Sequence, residues 1–328
     1  MRTAAAAIAL LGFACAEVAI AAPPRLLVLN KGDNALVVVD ASTRQIIGRA
    51  PTGRGPHEVA VSDDGKLAFA SNYGTGDEPG NTLSVIDLDS MKERKVDLGP
   101  LHRPHGLHFA GGKLYFTAEA NKLIGRYDPG TDRVDWVMGT GQNVSHMVAL
   151  SGDLESIFTT NIGSNTVSIF SRQKGSGDFG WSQTIVPVGE GPEGFDLSPN
   201  GEQLWAAHSR DGHVSIIDTA TRKVIQTIDA KTRRSNRLKF TPDGKLVLIS
   251  DMGAGELVVI DAASRTEKKR LALGRALVGI LIPPDGSVAY VAAGGENFVA
   301  IVDLKTLEPA GRIETGGGPD GMAWIAGE

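Results

Sequence analysis

The sequence predicts an all-β protein built by repetition of one unit, and three observations support that prediction. Glycine supplies 41 of the 328 residues, well above its usual share of about 7%, which indicates many tight turns. Short β-branched runs recur along the whole chain, and Asp-Gly pairs typical of β-hairpins precede several of them. Charged residues make up 22% of the chain and hydrophobic residues 41%, the composition of a globular protein.

The clearest repeat is a β-branched run that ends in an acidic residue, as in residues 36–40 (LVVVD) and 257–261 (LVVID). Seven copies, two of them degenerate, end at positions 40, 87, 128, 171, 218, 261 and 303. The successive spacings are 47, 41, 43, 47, 43 and 42 residues. A period of about 40 to 45 residues is that of one four-stranded propeller blade, so the sequence predicts a seven-bladed β-propeller.

Each copy follows a turn, a short apolar strand and a hairpin, of which residues 55–65 are the clearest example. The unit therefore predicts four antiparallel strands, a to d, with strand a next to the central channel. The segment at residues 25–30 is a b strand, whereas residues 320–325 form an a strand. Seven complete blades form only if this C-terminal strand joins the N-terminal blade, which leaves no open sheet edge. We expect one domain over residues 22–328.

Residues 1–21 have the layout of a secretory signal peptide. Arg2 precedes an apolar run at residues 4–14, and small residues give cleavage sites after Ala16 or Ala21. No apolar run reaches the roughly 18 residues that span a bilayer, so we expect a periplasmic or secreted protein without a transmembrane segment. Cys15 is the single cysteine and lies in this leader. The mature chain is therefore expected to carry neither a disulfide nor covalent haem.

The charge balance bears on the partners. The formal net charge is −5, from 33 basic and 38 acidic residues. This balance argues against nucleic acid or an anionic membrane as a partner of the whole surface. We expect a small-molecule ligand or a periplasmic protein as the partner, and a monomer as the state of the protein.

Two short runs resemble the repeats of the YVTN-family β-propellers: residues 69–72 (FASN) and 158–161 (FTTN), each followed by a Ser-Val-Ile-Asp-like run. The resemblance extends over nearly all of the chain after the leader and implies the propeller architecture. That family and its neighbours include surface proteins, lactonase-like enzymes, and the propellers of haem d1 nitrite reductase and nitrous oxide reductase. The resemblance therefore implies no single activity.

The a strands of a propeller line its channel, so the first residues of these strands are candidate site residues. Around the ring they are His57, His105, His146, Glu193, Asn236, Val278 and Asp320. Three of the seven histidines thus occupy one position in consecutive blades. Imidazoles beside a carboxylate suit copper or zinc, so the predicted metal ligands are His57, His105, His146 and Glu193. Metal-free ligand binding and a water-filled structural channel stay open as alternatives.

The ends of the b strands reach the same mouth of the channel and supply further candidates. Arg103 and Arg237 lie next to channel positions, and guanidinium groups favour carboxylate or phosphate ligands. The predicted ligand-binding residues are Asn72, Arg103, Glu119, Asn161, His208, Arg237, Asp251 and Asp320. Residues 73–80 exceed the repeat and are expected to form a lid or a partner contact at this mouth.

The resulting hypothesis is an exported propeller that binds a small anionic ligand or a divalent metal at one mouth of its channel, as an accessory to a periplasmic redox or catabolic system. One rival is an enzyme, a lactonase-like hydrolase or a metal-dependent lyase. It would use a channel histidine as base and Arg103 or Arg237 to hold an oxyanion. The other rival is a protein-interaction scaffold. The sequence leaves open whether any reaction is catalysed.

Overall fold

The structure, a computed structural model, describes residues 22–327, so the predicted signal peptide at residues 1–21 lies outside the described residues. Within residues 22–327, 28 strands form seven four-stranded antiparallel sheets. The protein is a seven-bladed β-propeller, and the prediction from the repeat is confirmed. Two 3-10 turns, Glu119–Asn121 and Gly177–Phe179, are the helical segments of this part of the chain. No helix within it is long and apolar enough to cross a membrane.

The strands are numbered β1 to β28 in chain order, and each of blades 1 to 7 contributes one strand to each of four concentric layers. The innermost strands are β28 (Pro319–Ile325), β4 (Pro56–Val61), β8 (Pro104–Ala110), β12 (Ser145–Leu150), β16 (Pro192–Leu197), β20 (Ser235–Phe240) and β24 (Leu277–Leu281). The second strands are β1 (Arg25–Asn30), β5 (Leu67–Gly74), β9 (Lys113–Ala118), β13 (Ser156–Asn161), β17 (Gln203–His208), β21 (Leu246–Asp251) and β25 (Val288–Ala293). The third strands are β2 (Ala35–Asp40), β6 (Pro79–Asp87), β10 (Leu123–Asp128), β14 (Thr166–Arg172), β18 (His213–Asp218), β22 (Glu256–Asp261) and β26 (Phe298–Asp303). The outermost strands are β3 (Gln45–Pro51), β7 (Lys92–Asp97), β11 (Arg133–Gly139), β15 (Trp181–Pro187), β19 (Lys223–Asp229), β23 (Thr266–Ala272) and β27 (Glu308–Glu314).

The hydrophobic core lies between neighbouring blades. Between blades 1 and 2, for example, Leu27 and Leu36 of one sheet pack with Ala68 and Ile86 of the next, all fully buried. The β-branched third strands are buried on both faces, which explains their continuous apolar runs. Burying one such side chain is worth about 1.5–3 kcal/mol, so the contacts between blades hold the ring together.

The ring closes as the sequence predicts. Strand β28 pairs antiparallel with β1, with Ile325 opposite Arg25 and Ala323 opposite Leu27. The first blade is therefore the sheet β28-β1-β2-β3, built from both ends of the described chain. Every blade therefore has the same four strands, and the ring contains no incomplete blade among residues 22–327.

A β-bulge interrupts every innermost strand just after its first residue. In β4 the pair Pro56 and Asn72 is followed by Val59 and Ala70, and the other six innermost strands shift register in the same way. A bulge sets two residues against one on the partner strand and re-aims side chains locally. The side chains of the second and third residues of these strands therefore need not point to opposite faces of the sheet, and both positions reach the channel.

The third position of the innermost strands alternates around the ring between glycine and a long side chain. Blades 1, 3, 5 and 7 have Gly321, Gly106, Gly194 and Gly279, and blades 2, 4 and 6 have Glu58, Met147 and Arg237. A Cβ on Gly279 would lie 2.1 Å from the carbonyl oxygen of Asp320 in the next blade. A Cβ on Gly321 would lie 2.3 Å from that of His57. The glycines therefore let neighbouring inner strands approach closely.

Candidate metal centre

A cavity of about 500 Å³ opens at the mouth face, the end of the channel at which the innermost strands begin. The second residue of each innermost strand lines it: His57, His105, His146, Glu193, Asn236, Val278 and Asp320. The structure thus brings the four residues predicted as metal ligands into one cavity, together with Asp320. Their role as ligands stays a prediction.

The three histidine rings lie in a row. The ring centroids of His57 and His105 are 4.9 Å apart, and those of His105 and His146 are 3.8 Å apart. His105 Nδ1 and His146 Nε2 are buried and have no hydrogen-bond partner among residues 22–327. Since buried polar atoms nearly always have partners, these two nitrogens mark the place where the cavity can take a ligand.

Glu119, directly after β9, fixes the orientation of His146. Its Oε1 lies 2.5 Å from His146 Nδ1, and its Oε2 accepts a hydrogen bond of 2.6 Å from the hydroxyl of Tyr73. With Nδ1 engaged, His146 presents Nε2 to the cavity, 4.0 Å from Oε1 of Glu193. A carboxylate on the far nitrogen is the usual companion of a metal-binding histidine, because it fixes the tautomer and the ring orientation.

His57 is hydrogen-bonded at both ring nitrogens. Nδ1–H donates to the carbonyl oxygen of Gly55 at 2.8 Å, and Nε2 accepts from the Lys31 ammonium at 2.6 Å. The same ammonium lies 4.0 Å from a carboxylate oxygen of Asp320. His57 can therefore bind a metal only after Lys31 turns away from it.

The histidines differ in charge. Burial, aided by Lys31, lowers the pKa of His57 to about 3. Burial also holds the pKa of His105 well below its ordinary value, and His146 adds to the effect. Burial opposes a charge on His146 too, but the hydrogen bond and charge of Glu119 outweigh it and raise the pKa of His146. Burial thus favours the neutral form of His57 and His105. The Nε2 lone pair of His57 is engaged by Lys31, whereas His105 Nδ1 has no hydrogen-bond partner among residues 22–327.

The described residues contain a set of donors that fits a divalent transition metal. Ligand atoms of His105, Glu119 and His146 lie within 4.8 Å of one another. Because Glu119 already contacts Nδ1 of His146, the lone pair that His146 offers is on Nε2. Oε1 of Glu193 lies 4.0 Å from that atom, so the Glu193 carboxylate is a further candidate donor beside His146 and His105. Open zinc sites use three protein ligands and a water, and copper also favours imidazole.

Arg237 crosses the channel at the floor of this cavity. Its guanidinium donates a hydrogen bond to the Glu58 carboxylate of β4, and another of 3.1 Å to Oδ1 of Asn236. The Arg237 and Glu58 side chains are only 6% and 13% exposed. Both residues also line a second cavity of about 270 Å³, further along the channel. The guanidinium predicted to bind a ligand is therefore already paired, and the pair divides the channel in two.

Five residues predicted to bind a ligand lie outside the mouth cavity: Arg103, which is described below, and Asn72, Asn161, His208 and Asp251. The side chains of these last four are buried within the blades and bond to neighbouring strands and turns. Asn72 Nδ2 donates to Ser84 Oγ at 3.0 Å, and the Asp251 carboxylate accepts the backbone N–H groups of Arg233 and Arg234. These groups hold the turns at the mouth in place, so the structure gives no support to a ligand-binding role for them.

The residues that do face the cavity from the second strands come one position later in the repeat. They are Lys31, Tyr73, Glu119, Ile162, Ser209 and Met252. In blade 3 the residue opposite Pro104 is Ala118, so Glu119 belongs to this later position rather than with Asn72. Adjacent residues of a strand face opposite sides. Alignment of the b strands on their buried runs would have revealed Lys31 and Tyr73 as site residues.

Half of the predicted lid, residues 73–80, extends β5 and β6, and the other half, residues 75–78, forms the turn between them. The Tyr73 ring lies 4.6 Å from the ring of His57, measured between centroids. Arg103 packs against the Tyr73 ring at 4.9 Å, and its Nη2 donates to the carbonyl oxygen of Gly76 at 3.1 Å. Arg103 therefore supports Tyr73 from outside the mouth cavity, which it does not line.

Fold and site together define a class, a seven-bladed β-propeller with imidazole and carboxylate groups at one mouth of its channel. No protein-family model matches the chain. Among curated proteins it is similar to the uncharacterized protein YncE of Salmonella typhimurium, 26% identical over 147 residues, or 44% of this chain. It is also similar to the seven-bladed beta-propeller protein Rv1057 of Mycobacterium tuberculosis, 21% identical over 281 residues, or 75% of this chain. The matches span only 41% and 59% of these relatives' own lengths.

Two solved structures have the same fold. A putative 6-phosphogluconolactonase from Bacteroides uniformis superposes with a TM-score of 0.77 at 16% identity, covering 92% of this chain and 99% of that one. The dihydro-heme d1 dehydrogenase NirN superposes with a TM-score of 0.64 at 14% identity, covering 91% of this chain and 74% of that one. The predicted resemblance to lactonase-like and haem d1 propellers is confirmed at the level of the fold.

Proposed function

We propose that this protein binds one divalent transition metal ion, copper or zinc, at the channel mouth. His105, His146 and Glu193 are the ligands, and His57 joins them when Lys31 moves aside. The observation that carries the proposal is the pair of buried nitrogens without partners, His105 Nδ1 and His146 Nε2, beside the Glu193 carboxylate.

A small anionic ligand takes the coordination position that faces the cavity. The ion supplies a positive charge and an open site for an anion there. Lys31 and Arg234 line the same cavity and add two cationic groups. The electrostatics of the mouth therefore favour an anion once the metal is bound.

The test is metal analysis of the purified protein, followed by titration with copper and zinc. We expect one ion per chain. His105→Ala and His146→Ala should each weaken binding at least about tenfold, and Glu119→Gln should weaken it by about 10- to 100-fold because Glu119 orients a ligand. His213→Ala is the control, since this histidine is 42% exposed on β18, away from the mouth cavity. Failure to bind either metal after reconstitution, or equal loss in the His213 variant, would refute the proposal.

A lactonase-like hydrolase is the second candidate, and the chain of hydrogen bonds from Tyr73 through Glu119 to His146 favours it. A histidine oriented by a carboxylate, with its other nitrogen facing a cavity, can act as a general base on water. The structural neighbour called a putative 6-phosphogluconolactonase is consistent with such chemistry. Hydrolysis of 6-phosphogluconolactone that is lost in His146→Ala would support the candidate. Comparison of the metal-free and metal-loaded protein separates plain base catalysis from metal-dependent hydrolysis or a lyase reaction.

We also propose that the protein is exported and serves a periplasmic redox or catabolic system. The support is the leader at residues 1–21, whose Ala16 and Ala21 precede the expected cleavage sites. The mature protein should begin at Glu17 or Ala22 and be recovered from the periplasm or the medium. Mass spectrometry of the N-terminus tests this, and a cytoplasmic protein that retains Met1 would contradict it. Partner capture without any bound metal or ligand would favour a scaffold instead.

A further inference from the structure

A side groove between blades 1 and 2 adjoins the mouth cavity. The side groove has a volume of about 480 Å³ and is lined by Asn34, Arg54, residues 74–76 and neighbouring turns. Lys31, His57 and Tyr73 line both the side groove and the mouth cavity, so the two adjoin along these three side chains. Pockets of about 300–1,000 Å³ suit drug-sized molecules, and the combined space is far larger than a metal ion and a small anion require.

The far part of the side groove offers hydrogen-bond donors. Asn34 Oδ1 accepts the backbone N–H of Gly55 at 2.8 Å, which leaves the amide hydrogens of Asn34 Nδ2 for a ligand. Arg54 lines the groove with its guanidinium bonded to Glu78. The Arg54 and Glu78 side chains are 58% and 70% exposed. An exposed ion pair of this kind is weak, so another anion can replace Glu78 at the guanidinium.

We propose that the ligand of this protein is an elongated dianion that spans the mouth cavity and the side groove. One anionic group, a carboxylate or phosphate, binds at the metal, and the second binds Arg54 and the Asn34 amide. The first anchor rests on the proposed metal function, whereas the second depends only on the groove. A donor-rich groove of this shape selects for a second anion and disfavours a neutral tail.

Two substitutions should change the affinity for the dianion in opposite directions, and a third is a matched control. Arg54→Gln removes the second anchor, and Glu78→Gln removes the group that competes with the ligand for Arg54. Arg275→Gln is the control. Arg275 lies in the corresponding turn of blade 7, is paired with Glu296 at 3.5 Å, and lines neither the mouth cavity nor the side groove. None of the three variants changes a proposed metal ligand.

The experiment is calorimetric titration of the metal-loaded protein, free of excess metal, with acetate and with α,ω-dicarboxylates from malonate to suberate. We expect an optimum chain length at which the diacid binds about tenfold tighter than acetate. Arg54→Gln should bring that diacid to the level of acetate, and Glu78→Gln should tighten it about threefold. Acetate affinity should be unchanged in both variants, and Arg275→Gln should behave as the wild type.

Filling the side groove gives an independent measurement. A Cβ on Gly76 meets no atom within 4 Å, so Gly76→Trp places an indole at the groove without a backbone clash. It should weaken diacid binding and leave acetate binding unchanged. Diacids that bind no tighter than acetate, or a preference that survives Arg54→Gln, would overturn the inference while metal binding stands. If no metal binds, the metal proposal fails, and the same diacid comparison on the metal-free protein decides the inference.

Discussion

The ion pair between Arg237 and Glu58 gives the sharpest test of how this channel is stabilised. The perturbation is Arg237→Met, which keeps an unbranched side chain of similar length but removes the charge. Glu58 would then be left in the channel with its side chain only 13% exposed and without its cationic partner. Burial lowers the pKa of Arg237 from its ordinary value, although the charge of Asp320 opposes this effect, so the guanidinium itself bears a cost of desolvation.

The expected loss of stability follows from the difference between removing one partner of a buried ion pair and removing both. Removing one partner typically costs about 3–5 kcal/mol, because the other charge stays buried, whereas replacing both by apolar groups is often neutral. Arg237→Met should therefore lower the midpoint of thermal unfolding by roughly 5–10 °C in a chain of this size. Glu58→Leu should cost less, because Asp320 also attracts the guanidinium. The double variant Glu58→Leu/Arg237→Met should lie within about 1 kcal/mol of the wild type.

The assay is urea unfolding followed by circular dichroism, with the four proteins of the double-mutant cycle compared at one pH and salt concentration. The m-value must stay constant, so that a change of midpoint reports the free energy of unfolding. Two results would refute the reasoning. One is an Arg237→Met protein as stable as the wild type, and the other is a double variant no more stable than that single one.

Four further predictions concern closure, packing, pH and the metal site. Removing residues 319–328 should abolish the cooperative thermal transition, because blade 1 loses its innermost strand; an unchanged transition would contradict ring closure. Gly279→Ala should destabilise the protein by about 1–3 kcal/mol, since its Cβ would lie 2.1 Å from a backbone oxygen, while Gly76→Ala, which meets no atom within 4 Å, should be nearly neutral. Burial, aided by Lys239, lowers the pKa of His108 from 6.5 to about 4. As the pH falls, His108 is therefore protonated in the unfolded state before it is protonated in the folded state. Its contribution to the free energy of unfolding is present above about pH 6.5 and is lost as the pH falls toward 4. His108→Gln should therefore reduce the acid sensitivity of the unfolding free energy between about pH 7 and 4.5. In the metal titration, losses from His57→Ala, His105→Ala and His146→Ala should be strongly non-additive, since the first substitution already disables a shared site; additive losses would mean separate sites.

The architecture was accessible from sequence because a propeller repeats one local pattern. The acidic residue that ends six of the seven third strands, as at Asp40 and Asp261, sets the period. The strand type of residues 25–30 and 320–325 then requires closure, because a blade with three strands would leave an edge unpaired. The second residue of the innermost strands was also accessible, since the same turn precedes it in every blade.

The sequence prediction missed the rest of the site for two reasons, an alignment shifted by one residue and a contact across the channel. The repeat pattern aligns Glu119 with Asn72, although in register it follows Ala118, and this shift of one residue hides Lys31 and Tyr73. The contact between Arg237 and Glu58 joins blades 6 and 2 across the channel. No local pattern specifies a contact between blades that are not neighbours. It depends on the diameter of the closed ring and on bulges that re-aim the third residue of each inner strand.

The pairing of β28 with β1, the seam of the ring, also affects how blade 1 folds and opens. Its register pairs, such as Arg25 with Ile325, join residues about 300 positions apart. Closing a loop of that length costs about 3 kcal/mol more chain entropy than closing a ten-residue hairpin. The other six blades are assembled from consecutive strands and gain their contacts locally. We therefore expect the seam to be the last unit to form and the first to open in the native ring. Each opening exposes the inner edge of blade 1, which makes that blade the point of entry for proteolysis and for exchange of strands between chains.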